Sequence, residues 1–323
     1  VIQSSKKVYH FDSTILVMNS TNSLSELLGN QSSLHIKTYG NGNIATSSLR
    51  GGNANHTAIL WNGLSIQNPM LGQTDLSLIQ TSAFDDVLIE HGGGSAAWGS
   101  GAIGGSIHLQ NKNKLNEGLK TKVQFNYGSF ESKKLNSALF YNYTYLDSTN
   151  KETPLQEVKH ADVLTKGFMQ EFSFLVNSKN TLNVRLWYNN TERNIPSFTQ
   201  QISKKYQLDQ SLRFNADWEI KKRKLNSVFR IAYFNDVLNY NDSIAAIYSK
   251  SKVHTYIMES DNNYKLKQGT MHFGVNNSLY QTDTKNYHTI HKLNKLAFFA
   301  GYNISLLKSK LNYSIFLRQE FTN

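Results

Sequence analysis

The chain has 323 residues, no cysteine, and a formal net charge of +11 from 34 basic and 23 acidic residues. The lack of cysteine excludes disulfides, thiol catalysis and cysteine-ligated metal sites. The basic residues are spread along the whole chain and form no single stripe, so the charge does not predict nucleic-acid binding. No apolar run is long enough for a membrane helix, and no signal peptide is visible at Val1.

Composition changes along the chain at the polar stretch NKNKLNEG, residues 111–118. Fifteen of the 20 glycines lie at or before Gly118, whereas thirty of the 34 Phe and Tyr residues follow it. This shift predicts a glycine-rich domain over residues 1–110, a linker over 111–118, and an aromatic-rich domain over 119–323.

Short, mixed elements are predicted in the first domain. In TNSLSELLG, Ser23 and Glu26 have the spacing of a capping box, and Gly29 is predicted to end the helix. HTAILWNGLSIQN reads as a strand, an Asn62-Gly63 turn of type I′, and a second strand. FDDVLIEHG predicts a further strand, so this domain is expected to be small and α+β.

Glycines are dense in AAWGSGAIGGSIHLQ, residues 96–110, where Gly99, Gly101 and Gly104 have the spacing of a dinucleotide-binding motif. That motif requires a helix after the glycines, because the helix amides face the pyrophosphate. Residues 106–110 instead alternate as a strand. We therefore expect these glycines to allow close backbone packing and not nucleotide binding.

The second domain alternates apolar and polar residues with a period of two. In SLRFNADWEI, Leu212, Phe214, Ala216, Trp218 and Ile220 share one face, while Arg213, Asn215, Asp217 and Glu219 share the other. The pattern predicts about ten strands: 119–128, 132–147, 167–178, 180–193, 207–221, 223–238, 252–266, 268–284, 292–307 and 310–321.

These predicted strands are long, and their connections alternate between short turns and longer loops near 148–166, 194–206 and 239–251. Strands of soluble sandwiches run to about 3–10 residues. Short turns at one end and long loops at the other are typical of transmembrane β-barrels, which we favour over a soluble β-sandwich.

Three stretches of the first domain resemble the plug domain of TonB-dependent outer-membrane receptors. They are the SLSELL helix, TSSLRGGNANHTAILWNGLSIQNP at 46–69, and DVLIEHGGGSAAWGSGAIGGSIHL at 86–109. The block RGGNANHTAILWNGLSIQNPMLGQTDLS is most similar to cobalamin-type receptors, particularly those of Bacteroidetes. The resemblance implies a β fold with a small α+β plug inside a barrel of about 22 strands. The chain is then expected to hold the plug and about half the barrel, without the N-terminal energy-coupling box.

The resemblance also implies roles for individual residues. Arg50 is expected to contact barrel carboxylates, with Glu171, Asp217, Glu219 and Glu259 as candidates. Gly99, Gly101, Gly104 and Gly105 are expected to be structural plug glycines. The apical plug loops that touch the substrate match two sets of residues: Asn41, Gly42 and Asn43, and Gln67, Asn68, Pro69, Met70 and Leu71. No catalytic residue, metal site or cofactor is expected.

The implied function is TonB-dependent active uptake of a scarce nutrient complex, such as cobalamin or a ferric siderophore. The chain is then expected in the outer membrane of a Gram-negative bacterium, in contact with its lipid and with the inner-membrane TonB energy-coupling complex. It is not expected to be an enzyme. The alternatives left open are a barrel pore or barrel enzyme without energised gating, and a soluble β-rich binding module.

Overall fold

The structure is a computed structural model that describes residues 8–38, 44–49, 51–99, 101–112, 140–141, 156–157, 163–196, 203–284, 290–306 and 311–323. Most of these residues belong to an N-terminal unit, residues 8–112, or to one large antiparallel sheet within residues 163–323. In the described ranges no helix is long and apolar enough to cross a membrane, a finding that concerns helices alone.

The N-terminal unit is built around a five-stranded sheet. The unit has seven described strands, and five of them form this sheet. The seven are β1 (Val8–Phe11), β2 (His35–Thr38), β3 (Ala45–Ser48), β4 (Thr57–Trp61), β5 (Leu64–Ser65), β6 (Asp86–His91) and β7 (Gly105–Gln110). The strand order is β1-β6-β7-β4-β5, while β2 and β3 form a separate pair. Strands β4 and β7 run parallel, and the other pairs are antiparallel.

Short helices surround this sheet. They are α1 (Ser13–Met18), α2 (Leu24–Gln31) and α3 (Ser95–Trp98), with 3₁₀ helices at Ala54–His56, Leu76–Leu78 and Thr81–Ala83. The predicted capping box starts α2: the Ser23 amide donates to Glu26 Oε2 at 2.7 Å, and the Glu26 amide donates to Ser23 Oγ at 3.3 Å. The prediction that Gly29 ends this helix was wrong. The helix continues to Gln31, since the amide and hydroxyl of Ser32 both donate to the Leu28 carbonyl.

The predicted hairpin is present between β4 and β5. Asn62 has φ +48° and Gly63 has φ +91°, the positive values that a type I′ turn requires at both central positions. Strand β4 is buried along its whole length, so the turn follows a strand that lies in the centre of the unit.

Eight long strands form the large sheet, in sequence order and with every neighbour antiparallel. A small pair, β8 (Phe140–Tyr141) and β9 (Gln156–Glu157), precedes them. The eight are β10 (Val163–Asn177), β11 (Asn180–Ile195), β12 (Lys205–Lys221), β13 (Leu225–Asp242), β14 (Ile247–Leu266), β15 (Gly269–Thr284), β16 (His291–Leu306) and β17 (Leu311–Thr322).

The structure confirms the β fold with a small α+β unit at its N-terminal end. Eight of the predicted strands correspond to β10–β17, and their lengths of 12–20 residues exceed those of ordinary sandwich strands. The strands predicted at 119–128 and 132–147 lie outside the described residues, apart from the two residues of β8.

The prediction of a long loop at 239–251 was wrong, because β13 and β14 continue through most of this range. Only four residues, 243–246, join Asp242 to its ladder partner Ile247. The Asp242 carboxylate closes the turn by accepting from the amides of Ile244 and Ala245, each at 3.1 Å. The polar residues that resembled a loop are therefore the ends of two long strands.

The two faces of the large sheet differ as the alternation predicts. On β12, Arg213, Asn215 and Asp217 are buried against the N-terminal unit, whereas Trp218 is 50% exposed on the opposite face. The buried core runs from Phe11, Leu24, Trp61 and Ile107 into side chains of the large sheet without a break. The N-terminal unit and the sheet therefore share one core.

Candidate functional site

A buried ion pair joins the N-terminal unit to the large sheet. Arg193 of β11 lies 2.9 Å from Asp75 Oδ2 and 3.0 Å from Asp209 Oδ2 of β12. The other oxygen of Asp75 accepts from the Ala45 amide at 2.9 Å and from the Ser77 amide at 3.0 Å. One carboxylate thus orders its own unit with one oxygen and holds the sheet with the other.

An aromatic cluster forms the apolar part of the same interface. The Trp61 ring centre lies 5.5 Å from that of Trp187 and 6.2 Å from that of Phe234, and Phe84 lies 5.4 Å from Trp187. The Arg213 guanidinium stands 4.6 Å from the centre of the Trp187 ring. Edge-to-face packing and a cation over indole favour a fixed orientation of the N-terminal unit on the sheet.

Asn111 secures the end of β7. Its side chain accepts from Trp61 Nε1 at 2.9 Å and donates to the Ala83 carbonyl at 2.9 Å. Its backbone amide donates to Asn62 Oδ1 at 3.0 Å. Lys112 pairs with Asp86 at 2.6 Å. The first two residues of the predicted 111–118 linker therefore bond to the N-terminal unit, and residues 113–118 lie outside the described part.

A line of alternating charges crosses the inner face of the large sheet. Arg185 lies 2.8 Å from Glu171 and 2.5 Å from Asp217. Arg230 lies 3.7 Å from Asp217 and 2.6 Å from Glu259. Asp261 accepts from both Arg230, at 3.4 Å, and His272, at 2.7 Å. These contacts link β10 to β15 through side chains that face the N-terminal unit.

Arg50, the predicted contact to barrel carboxylates, lies outside the described residues. Of its four candidate partners, Glu171 and Asp217 contact Arg185, and Glu259 contacts Arg230. Glu219 is paired with Lys221 at 3.2 Å. Each candidate therefore has a cation on the sheet itself. An ion pair that does join the two parts in the described residues is Asp75 with Arg193, and neither residue was among the predicted site residues.

A groove of about 430 Å³ separates the N-terminal unit from β14–β17. Three predicted substrate-contacting residues line it: Gln67, Asn68 and Pro69. The wall opposite carries two cations and two carboxylates, Lys295, Arg318, Glu259 and Glu320. The groove is therefore polar, with charges of both signs.

The loop at one end of this groove is held in shape by its own side chains. Gln67 Nε2 donates to the Thr57 carbonyl at 3.2 Å, and Asn68 Oδ1 accepts from the Met70 amide at 2.9 Å. Met70 and Leu71 are 36% and 49% exposed at the tip. The second predicted loop, Asn41, Gly42 and Asn43, lies outside the described residues.

The structural glycines lie where side chains do not fit. At Gly104, a Cβ would stand 2.8 Å from the Leu49 carbonyl oxygen and 3.3 Å from that of His56. Gly99 has φ +93° and faces Arg318 of β17 across the groove. A Cβ at Gly101 would clash with the Gln67 side chain, and one at Gly105 with the Glu90 carbonyl. Most of this close packing is within the N-terminal unit, and only Gly99 faces the sheet.

Ser106, His108 and Glu90 lie together but lack the geometry of a catalytic triad. Ser106 Oγ is 2.8 Å from His108 Nε2, and Glu90 Oε2 is 3.4 Å from that same nitrogen. A triad base uses its two ring nitrogens separately, one for the nucleophile and one for the carboxylate. Trp98 Nε1 also donates to Glu90 at 3.3 Å, so the cluster attaches α3 to the sheet. The described residues hold no group of three His, Asp or Glu side chains that could bind a metal.

Comparisons with known proteins agree with this architecture. Residues 2–106 match the family model described as TonB-dependent Receptor Plug Domain. A stretch of 71 residues is 37% identical to the Vitamin B12 transporter BtuB of Vibrio vulnificus (strain YJ016), covering 22% of this chain and 12% of that protein.

Solved structures of low sequence identity share the fold. The siderophore receptor PirA from Pseudomonas aeruginosa aligns with a TM-score of 0.68 at 15% identity, over 99% of this chain and 57% of that one. A variant of the ferric enterobactin receptor PfeA from the same species aligns with a TM-score of 0.68 at 12% identity, over 98% and 57%. The chain thus spans 57% of the length of each. Residues 2–106 thus match the plug domain of TonB-dependent receptors, and the chain shares its fold with the solved receptors to which it aligns.

Proposed function

We propose that the protein takes up a scarce nutrient complex across the outer membrane of a Gram-negative bacterium, with the plug gating the barrel. The observation that carries this proposal is the plug itself, held against the barrel wall by the buried Asp75–Arg193 pair. A passive pore has no need of a separate domain filling its inner face. Residues 1–110 are then the plug, 111–118 the linker and 119–323 part of the barrel.

The groove between the plug and β14–β17 is the proposed ligand surface. Ligand pockets are ordinarily concave and largely apolar, with few polar groups. This groove instead presents two amides, Gln67 and Asn68, and charges of both signs, which suits a ligand rich in polar groups that donate and accept hydrogen bonds. Cobalamin and ferric siderophores both carry such groups, and the 430 Å³ volume would hold only part of either.

Cobalamin is the first ligand to test. BtuB is named as a vitamin B12 transporter and shares 37% identity over 71 residues with this chain, whereas PirA and PfeA are siderophore receptors of similar fold. Identity of 15% or less supports the fold and not the substrate. Both ligand classes therefore enter the experiment.

Opening the path requires work on the plug, because the buried ion pair and the Trp61–Trp187 contact would both have to be lost or moved. We propose that an inner-membrane TonB complex supplies this work by pulling on the plug. Uptake by this route needs no covalent step, so we propose that the protein is a transporter and not an enzyme.

The test is uptake by the full-length gene product in a host that lacks its own receptors. Radiolabelled cyanocobalamin and ferric siderophores are supplied in turn, in matched strains with and without TonB. We expect one ligand class to accumulate only with TonB present. Accumulation that is equal without TonB would indicate an ungated pore. No accumulation of any supplied ligand, with correctly assembled receptor, would overturn the proposed uptake of these classes.

A further inference from the structure

The short turns of the large sheet carry a concentration of basic side chains. Three turns, between β10 and β11, β12 and β13, and β14 and β15, lie at the same end of the sheet. Together with the adjoining strand ends they hold seven exposed cations, named here the basic rim: Lys179, Lys221, Lys222, Arg223, Lys224, Lys265 and Lys267.

Few acidic side chains lie near these cations. In the part of the chain that the structure describes, the ion pair recorded for the rim joins Lys221 to Glu219 at 3.2 Å. At the opposite end of the sheet the charges are mixed, with five lysines and four acidic residues: Lys204, Lys205, Lys250, Lys252, Lys292, Glu192, Asp209, Asp242 and Asp283. The excess of positive charge thus belongs to one end of the sheet and is not a general property of its surface.

An exposed apolar belt lies directly beside the rim. Phe174 and Val176, five and three residues before Lys179, are 52% and 63% exposed, and Leu266, between Lys265 and Lys267, is 46% exposed. Apolar side chains on this outward face are of the kind that lipid covers in a barrel. The cations therefore stand at the level where an apolar band ends.

We propose that the basic rim binds the phosphate groups of anionic phospholipids in the membrane leaflet nearest the short turns. Short turns of bacterial barrels face the periplasm, so this is the inner leaflet of the outer membrane. The inference rests on the proposed outer-membrane location, and it adds a lipid partner that the uptake function does not require.

The spacing of the rim suits a layer of headgroups better than one compact ligand. Each turn joins two strands about 4.8 Å apart, so neighbouring turns lie roughly 10 Å from each other along the rim. Charges act over about 8 Å at physiological ionic strength. Each turn therefore attracts its own headgroup, and the turns together select a negatively charged leaflet.

The test compares two variants of the full-length receptor that lose the same charge. The rim variant carries Lys179→Gln, Arg223→Gln and Lys267→Gln, one exposed cation from each turn. The control variant carries Lys204→Gln, Lys250→Gln and Lys292→Gln, three exposed cations at the other end. Each receptor is placed in bilayers of equal phosphatidylglycerol and phosphatidylcholine and extracted with a copolymer that retains adjacent lipid, whose composition is then measured.

We expect phosphatidylglycerol to be enriched around the parental and control proteins and the enrichment to fall about tenfold in the rim variant, because each basic residue near an anionic surface contributes separately. Raising the salt concentration should reduce it as well. Equal enrichment in both variants, or none in the parental protein, would overturn the proposal. A further arm adds glycerol phosphate at the same phosphate concentration as the lipid. If this addition abolishes the phosphatidylglycerol enrichment, the rim is a site for free phosphate and the lipid proposal is overturned.

Sedimentation with purified peptidoglycan adds a second arm. Rim-dependent binding to peptidoglycan without phosphatidylglycerol enrichment would assign the rim to the cell wall and contradict the lipid proposal. Uptake is measured in parallel. If the parental protein enriches phosphatidylglycerol but shows no TonB-dependent uptake, the result counts against the proposed transport function alone. If it shows uptake but no phosphatidylglycerol enrichment, the result counts against the lipid proposal alone.

Discussion

Asp75 of the plug and Arg193 of the barrel wall lie 118 positions apart in sequence and 2.9 Å apart in the fold, and both side chains are less than 10% exposed. Asp209 shares the same guanidinium at 3.0 Å. One cation therefore separates two carboxylates that would otherwise be buried side by side. The arrangement makes Arg193 the residue on which seating of the plug depends most directly.

Replacing Arg193 with Met should loosen the plug. Removing one partner of a buried ion pair leaves uncompensated charge and costs about 3–5 kcal/mol. We expect the N-terminal unit of the full-length receptor to become sensitive to limited proteolysis. Arg223→Met, at an exposed turn, should leave resistance unchanged.

The charge explanation has its own check. Adding Asp75→Asn and Asp209→Asn to Arg193→Met removes both uncompensated charges and should restore part of the protease resistance. A triple variant as sensitive as Arg193→Met would indicate that the arginine acts through packing and not through charge.

The aromatic contacts predict a difference between two tryptophans on opposite faces of the sheet. Trp187 is 4% exposed and contacts Trp61 and Phe84, whereas Trp218 is 50% exposed on the outer face. Trp187→Ala should cost about 3–5 kcal/mol and lower the midpoint of thermal unfolding, measured by calorimetry in detergent. Trp218→Ala should lower it much less. Equal shifts would mean that the plug contact adds nothing to stability.

Local features of this fold could be predicted from the sequence. The capping box joins Ser23 to Glu26 within one helical turn, and the hairpin needs only Asn62-Gly63 between apolar runs. The long strands follow from alternation with a period of two, which also assigns Arg185 and Arg193 to the inner face. Each of these features depends on neighbours within a few residues.

The interface could not be predicted in the same way. Alternation places Arg193 on the inner face but says nothing of its partner, because Asp75 reaches it only when a separate domain docks. The same holds for the groove, whose two walls come from residues 55–103 and 257–320. The prediction of a loop at 239–251 failed for a different reason, since the ends of β13 and β14 are polar and resemble a loop in composition.

Two glycines of the plug should respond oppositely to alanine. At Gly104 the new Cβ meets the Leu49 carbonyl at 2.8 Å, so the backbone must shift, at about 1–3 kcal/mol. Gly29 lies inside α2 and its Cβ would meet only ordinary contacts with Ile36 at 3.8 Å and beyond, so alanine should stabilise by about 0.5–1 kcal/mol. The calorimetric midpoints of the two full-length variants should move in opposite directions. Stabilisation by Gly104→Ala would contradict the close packing.

The outer face predicts sensitivity to charge near the middle of β13. Ile231 is 53% exposed there, and its ladder partners are Ala216 and Met258. Lys at this position should cost about 2–4 kcal/mol if it lies near the bilayer midplane. Heat-modifiable migration on gels should reveal less folded receptor for Ile231→Lys than for Ile231→Met. Equal folded fractions would argue against a lipid-facing position.

The tip of the 67–71 loop predicts a separation of ligand contact from loop structure. Met70 and Leu71 are exposed at the tip and supply only their amides to Asn68 Oδ1, so their side chains can change without loss of these bonds. The double variant Met70→Ser and Leu71→Ser should therefore keep the fold of the loop and the assembly of the barrel. If the tip contacts the ligand, uptake of cobalamin by the full-length receptor should fall about tenfold, the loss expected when two partly buried apolar contacts worth under 1 kcal/mol each are removed. The matched control is Ile244→Ser, an exposed apolar residue of the 243–246 turn that joins β13 to β14. Parental uptake in the double variant, with equal receptor in the membrane, would mean that this loop is a plug turn with no part in reading the ligand.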